Sequence, residues 1–282
     1  KRPQSRRRRA FSVCTMWRDP VTLPPTAPTN STRTQNFPHA FAYELPHHWV
    51  VGVERTFERA PGKGLAFRAE IYRREVANPR PRYENLYEAL NTFPEVEPDR
   101  VRIAPDQANA EGIELFLRGR SGPRFGWWIN YTYATTEDLI DGRWTPRHFD
   151  QRHTVNLDLD YSVGKHWHIN VAWRFHTGWP TTPLDLAVEE DDEGELEFVP
   201  ELGDLYSQRL PEYHRLDLRA SREWKVGGGV LGFYVDIQNL YNRKNLAGFD
   251  VQIEDEDDAV GLIFEPEYWA KIQPSAGGTF EF

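Results

Sequence analysis

From about residue 47 onward the chain repeats one pattern. Segments of about 9–14 residues alternate apolar and polar side chains with period two. Alternation of this kind sorts the two side-chain classes onto opposite faces of a strand, whereas a helix would need a period of about 3.6. The clearest run is 167–179. Trp167, Ile169, Val171, Trp173, Phe175 and Trp179 share a face with Thr177, and His168, Asn170, Ala172, Arg174 and His176 take the other. In 152–163, Val155, Leu157, Leu159, Tyr161 and Val163 oppose Asn156, Asp158, Asp160 and Ser162. In 125–135, Phe125, Trp127, Ile129, Tyr131 and Tyr133 oppose Asn130, Thr132 and Ala134. The same reading predicts strands over 49–57, 65–71, 111–118, 213–224 and 230–241. It also predicts a last strand that carries Ala276, Gly278, Phe280 and Phe282 in phase.

Strand length and face chemistry separate a soluble sandwich from a membrane wall. A 13-residue strand is ~43 Å long at ~3.3 Å per residue. Tilted by ~40° it spans ~33 Å, enough to cross a bilayer, while strands in soluble proteins average ~5–6 residues. Seven of the ten tryptophans (49, 127, 128, 167, 173, 179 and 224) fall in these segments, mostly near their ends, as in the aromatic girdles of a membrane barrel. The opposite faces carry Asp158, Asp160, His168, Arg174, His176, Arg215, Asp217 and Arg219, which are therefore expected to face a polar lumen. No run approaches the ~20 apolar residues of a transmembrane helix.

Connections between the predicted strands alternate short and long. The short ones, near 58–64, 119–124, 164–166 and 225–229, are glycine-bearing. The long ones are 78–107, 138–150, 180–212 and 251–268. Outer-membrane barrels place short turns in the periplasm and long loops outside. On this pattern the chain holds about nine strands, and the last descends to a periplasmic C-terminus. The acidic stretches 184–210 and 252–266 lack sustained periodicity and are expected to be irregular extracellular loops.

Several stretches resemble the C-terminal half of the barrel of TonB-dependent outer-membrane receptors. They are Gln107-Ala-Asn-Ala-Glu-Gly-Ile-Glu-Leu115, Phe149-Asp-Gln-Arg-His-Thr-Val-Asn-Leu157, Phe175-His-Thr-Gly-Trp-Pro-Thr-Thr-Pro183, Val235-Asp-Ile-Gln-Asn-Leu-Tyr-Asn-Arg243 and the ending Pro274-Ser-Ala-Gly-Gly-Thr-Phe-Glu-Phe282. They stand in that family's order and the resemblance covers about 45–282. It implies an all-β fold, a partial antiparallel transmembrane β-barrel, in the outer membrane of a Gram-negative bacterium. It also implies energy-coupled uptake of a scarce nutrient such as a siderophore, vitamin or glycan. The implied partners are outer-membrane lipid, the receptor's own plug domain, TonB, a small-molecule ligand and the barrel-assembly machinery. That machinery would read the terminal aromatics Phe280 and Phe282. Such receptors have plugged barrels of 22 strands. Nine strands with no plug, TonB box or signal peptide therefore suggest a C-terminal piece that would not transport alone.

Residues 1–46 are expected to be an irregular N-terminal segment, and 47–282 the barrel strands. The start is basic (Arg6–Arg9), then rich in Pro and Thr, with no apolar core of a signal peptide. The formal charge of −9 argues against a nucleic-acid partner, and a single cysteine, Cys14, excludes an internal disulfide framework. No cofactor is expected. The acidic runs 188–193 and 254–258 could attract divalent cations but fit no binding-loop register. His168 and His176 share a face but lie ~26 Å apart along a strand, too far for one metal ion. His47 and His48 point to opposite faces, and His148 and His153 could meet only through a bend. His153 with Asp150, or His214 with Asp217, could form part of a hydrolase pair, but no G-x-S-x-G elbow accompanies them. An enzyme is therefore not expected. The competing readings are a small stand-alone outer-membrane barrel, pore or enzyme, and a soluble β-sandwich binding module.

Overall fold

A computed structural model describes residues 45–60, 62–87, 100–190, 196–256 and 259–282. Nine long strands form one antiparallel meander: β1 (Leu45–Ala60), β2 (Lys63–Ala77), β5 (Gln107–Ser121), β6 (Phe125–Ile140), β8 (His153–Val163), β9 (Trp167–His176), β14 (Tyr213–Val226), β15 (Gly229–Gln238) and β18 (Gln273–Glu281). The remaining strands lie in the connections. They are β3 (Arg82–Asn85), β4 (Arg100–Ile103), β7 (Arg143–Pro146), β10 (Pro180–Thr181), β11 (Leu184–Glu190), β12 (Leu196–Leu202), β13 (Gln208–Arg209), β16 (Leu246–Glu256) and β17 (Ala259–Tyr268). The fold is a partial antiparallel β-barrel wall. Among the described residues the sheet is open, with β1 paired only to β2 and β18 only to β15.

Cross-strand register joins the alternating patterns into two continuous faces. Tyr131 lies opposite Val155, Val155 opposite Phe175, Leu157 opposite Trp173, and Trp173 opposite Leu216. Leu218 then faces Ile237, and Leu231 faces Phe280. A one-residue slip in any pair would carry polar side chains into this apolar sheet face, so the pattern itself fixes the register. Trp49, Val51, Val53, Phe57, Ile71, Phe233 and Phe280 are exposed on it. An exposed apolar band of this extent marks a membrane or interaction surface rather than a soluble exterior.

The turns at one end are tight. Val226 pairs with Gly229, leaving a two-residue connection in which Gly227 and Gly228 have φ of 57° and 93°. A type I′ hairpin turn needs positive φ at both central positions, which glycine adopts without a Cβ clash. At the other end the connections carry secondary structure. Two expected irregular loops instead form the hairpins β11–β12 and β16–β17. Leu184 and Val251 pack against a small core of Leu86, Tyr87 and Tyr206, so tertiary burial orders segments whose composition is acidic. Phe249 and Phe264 meet edge to face at 5.9 Å across β16–β17.

Two strand assignments also change. β9 ends at His176, so Trp179 is not on the strand's apolar face. It lies in the connection and stacks with His176 at 6.0 Å. Trp128 faces Asp158 and Arg118 in the register, on the polar face, because Trp127 holds the apolar phase.

Candidate functional site

Register alone gathers the polar residues onto a single face. Asp158 lies beside Ala172, Asp160 beside Asn170, and His168 beside Ser162. Asn156 lies beside Arg174, and Thr154 beside His176. On the next strand Arg215 faces Arg174, Asp217 faces Ala172, and Arg219 faces Asn170. The register thus puts Asp158, Asp160, His168, Arg174, His176, Arg215, Asp217 and Arg219 in one phase of the sheet.

Their side chains form local polar links along the wall. Arg215 Nη2 donates to Asp217 Oδ2 at 2.9 Å, and Asn170 Nδ2 to Asp158 Oδ1 at 3.0 Å. His168 Nδ1 lies 3.1 Å from the Ser162 hydroxyl. Arg219 lies over the Tyr234 ring at 4.2 Å and reaches Asp236 at 4.0 Å. His176 stacks on Tyr213 at 4.7 Å, with the ring planes 7° apart. The longer, more exposed Arg219–Asp236 pair contributes little stability. The effect of these links is to present a hydrated, hydrogen-bonding wall.

The strongest electrostatics lie at the long-connection end, where sequence reading assigned no site. Asp138, at the end of β6 and 1% exposed, accepts from Arg147 and from Arg82 Nη2, the latter at 2.6 Å. Arg82 also pairs with Glu84. Burial disfavours the Arg82 cation, but hydrogen bonds and charge from Glu84 and Asp138 outweigh it and hold its pKa above the usual value. Asp150 is buried between the backbone N–H of Thr136, at 2.7 Å, and the Arg209 guanidinium. Tyr206 donates to Glu84 at 2.5 Å, and its hydroxyl lies 3.2 Å from His148 Nδ1. Three long connections are thereby tied together. The partners that reach from one connection to another strand or connection by way of Arg82, Tyr206 and Arg209 are 56 to 122 residues apart in sequence, so no local spacing announces them.

Close backbone approach adds to this clasp. A Cβ on Gly178 would fall 1.6 Å from the Leu210 carbonyl oxygen, so only glycine fits where the chain leaving β9 meets 209–211. Arg209 Nη1 donates to the Gly178 carbonyl at 3.0 Å. A second folded corner follows β15. Asn239, fully buried with φ of 52°, receives the Arg243 N–H at 3.0 Å, donates to the Arg243 carbonyl at 2.9 Å, and gives its own N–H to Asp217 Oδ1 at 2.9 Å.

The two suggested hydrolase pairs do not form. His214 shares the apolar face with Leu216, opposite to Asp217, and its Nδ1 lies 2.6 Å from the Tyr241 hydroxyl. Burial pushes the Tyr241 hydroxyl pKa up. His153 Nδ1 lies 2.9 Å from the Tyr131 hydroxyl, while Asp150 is held by Thr136 and Arg209. His148 turns to Tyr206, so it does not join His153. Among the described residues no group of three His, Cys, Asp or Glu side chains converges as a metal site. Residues 191–195 and 257–258 of the acidic runs lie outside the described residues, as do 1–44.

The two faces have a counterpart among protein families. The model of the family described as TonB dependent receptor-like, beta-barrel matches residues 26–240. No curated protein matches the chain.

Proposed function

Because this chain belongs to the TonB-dependent receptor β-barrel family, we propose that its nine strands form part of the wall of an outer-membrane receptor for energy-coupled uptake of a scarce nutrient. A siderophore, vitamin or glycan is the expected cargo class. The observation that carries this reading is the apolar face that continues across neighbouring strands, against a polar face on the other side.

In this reading the apolar face meets lipid. Asp158, Asp160, His168, Arg174, His176, Arg215, Asp217 and Arg219 line the lumen and meet the receptor's plug domain. Short turns lie in the periplasm. The clasped long connections lie outside the cell, where they capture ligand before TonB-driven rearrangement of the plug admits it. Phe280 and Phe282 close the last strand and serve as the signal read by the barrel-assembly machinery. The open sheet supports a larger parent barrel. In a nine-strand meander β1 and β18 run in the same direction, so closing these strands on themselves would require a parallel seam. This disfavours a small stand-alone barrel built from them alone.

The experiment is a growth and uptake assay in the source bacterium. Deleting the gene should abolish high-affinity, TonB-dependent accumulation of one such nutrient under limitation, with restoration by the intact gene. Undiminished accumulation of every tested siderophore, cobalamin and glycan would overturn the transport reading.

A further inference from the structure

A few charged side chains fall in the apolar phase: at the long-connection rim Arg73 pairs with Glu75 and Glu111, whereas Arg222 makes no ion pair among the described residues. Arg222 follows Leu218 and Ala220 in the apolar phase of β14 and lies directly opposite Trp167 on β9 and Phe233 on β15. Its flanking residues in the same phase are Ala220 and Trp224. None of these neighbours carries a charge. An outward arginine at mid-membrane would be costly, and the cost falls steeply toward the headgroup region. Arg222 lies five residues before the 227–228 turn, within reach of that region at ~3.3 Å per residue.

The guanidinium leans toward that end. Its central carbon lies 4.9 Å from the centre of the Trp224 ring, two residues nearer the turn, and 5.2 Å from that of Trp167. Two indole rings thus hold one cation on the apolar face. Its Nε is buried and has no hydrogen-bond partner among the described residues. The arrangement recurs on β1. There Arg55, in the apolar phase and opposite Phe67, lies 4.6 Å from the Phe57 ring centre, again leaning toward the short-turn end. The 164–166 turn adjoining Arg222 adds Lys165, which is exposed.

We propose that Arg222, held between Trp167 and Trp224, is a binding site for the phosphate group of a membrane glycerophospholipid in the leaflet at the short-turn end. A phosphate oxygen pair matches the planar donor fork of arginine. The indoles cover the cation's faces and pack against glycerol and upper acyl carbons, as interfacial aromatics do. The free edge of the guanidinium donates to the phosphate. The inference rests on the membrane-wall reading of the apolar face.

Native mass spectrometry of the full 282-residue chain in detergent, with dioleoyl-phosphatidylglycerol, dioleoylglycerol or inorganic phosphate added, tests it. The wild type should retain one phosphatidylglycerol that dioleoylglycerol does not replace. Inorganic phosphate at equal concentration should not displace it, since the acyl and glycerol contacts are lost. Arg222→Gln should weaken retention by roughly tenfold, the scale of a lost charge-assisted bidentate contact, and Arg222→Lys by less. Equal retention of phosphatidylglycerol by wild type and Arg222→Gln would overturn the site. So would equal retention of phosphatidylglycerol and dioleoylglycerol by the wild type, a comparison that needs no variant to fold. Displacement by inorganic phosphate would overturn the lipid source in favour of a free anion. A nitroxide at Val171 in the same samples reports the membrane reading separately. Lipid accessibility there with no Arg222 effect sinks the phosphate site alone, and water accessibility sinks both.

Discussion

The Arg147 guanidinium donates through both Nε and Nη2 to one oxygen of Asp138, at 2.9 and 2.8 Å, while Arg82 takes the other oxygen. Asp138 therefore holds the β2–β5 and β6–β8 connections to the end of β6. Removing its charge leaves Arg147 without its anion and Arg82 with Glu84 alone. Asp138→Ala should destabilise the assembled protein by about 2–4 kcal/mol, short of the full buried-pair range because both arginines keep some solvent exposure. Urea unfolding followed by tryptophan fluorescence measures this. Arg143→Ala, whose partner Asp204 is an exposed residue, should change stability by less than about 1 kcal/mol.

Face assignment has a sharp test in adjacent residues. Val171→Arg puts a cation on the apolar face and should cost about 2–4 kcal/mol, while Ala172→Arg lies between Asp158 and Asp217 on the polar face and should cost little. Folded yield in outer membranes, read by the heat-dependent mobility shift, separates the two. A larger loss for Ala172→Arg would reverse the faces.

Gly178→Ala should be among the most disruptive single-methyl changes in the chain. Its Cβ would collide with the Leu210 carbonyl, a backbone atom that cannot rotate away. We expect a loss of about 3 kcal/mol and faster proteolysis within 177–212. Gly126→Ala, with open space around the new methyl, should be tolerated.

Asn239 turns the corner after β15 with side-chain and backbone hydrogen bonds and a left-handed φ. Asn239→Gly keeps the backbone freedom and loses the side-chain bonds. Asn239→Ala loses both. The alanine variant should therefore be the less stable of the two by about 1 kcal/mol, with each below wild type. Equal stabilities would show that left-handed strain adds nothing at this corner.

Deleting Phe282 removes a fully exposed ring beyond β18, 6.1 Å from Phe280. Little packing is lost, so stability after assembly should be unchanged. If the terminal aromatic is the assembly signal, the yield of folded barrel in the outer membrane should fall several-fold. Pulse-labelled assembly kinetics compared with denaturant midpoints distinguish the two effects. Equal yields would remove Phe282 from the assembly role.

Much of the wall was legible in the sequence because side-chain direction in a strand depends only on parity. Trp173 and Arg174 had to fall on opposite faces once 167–176 was extended, and the register with Leu216 and Arg215 followed. The tight turns were legible for a similar reason, since Gly227 and Gly228 announce a backbone that other residues adopt poorly. The asparagine corner was not legible: alternation carries the expected strand on to residue 241, whereas the observed one ends at Gln238 and the chain turns at Asn239. Parity misled where a strand stopped, at Trp179, and where two tryptophans stood side by side, at Trp127 and Trp128, and it gave no account of cations such as Arg222 in the apolar phase.

By itself, then, the sequence determined what alternation and turn chemistry can encode: nine extended segments, their two faces, and one end with short connections. The tertiary structure decided everything that depends on residues distant along the chain. The clasp of Asp138 with Arg82, and of Asp150 with Arg209, exists only after the meander brings three connections to one rim. The acidic segments became hairpins because Leu184 and Val251 found Leu86, Tyr87 and Tyr206 to pack on. Local periodicity carries no information about those partners. Burial and ion pairing act between neighbours in space, and the fold alone makes these residues neighbours.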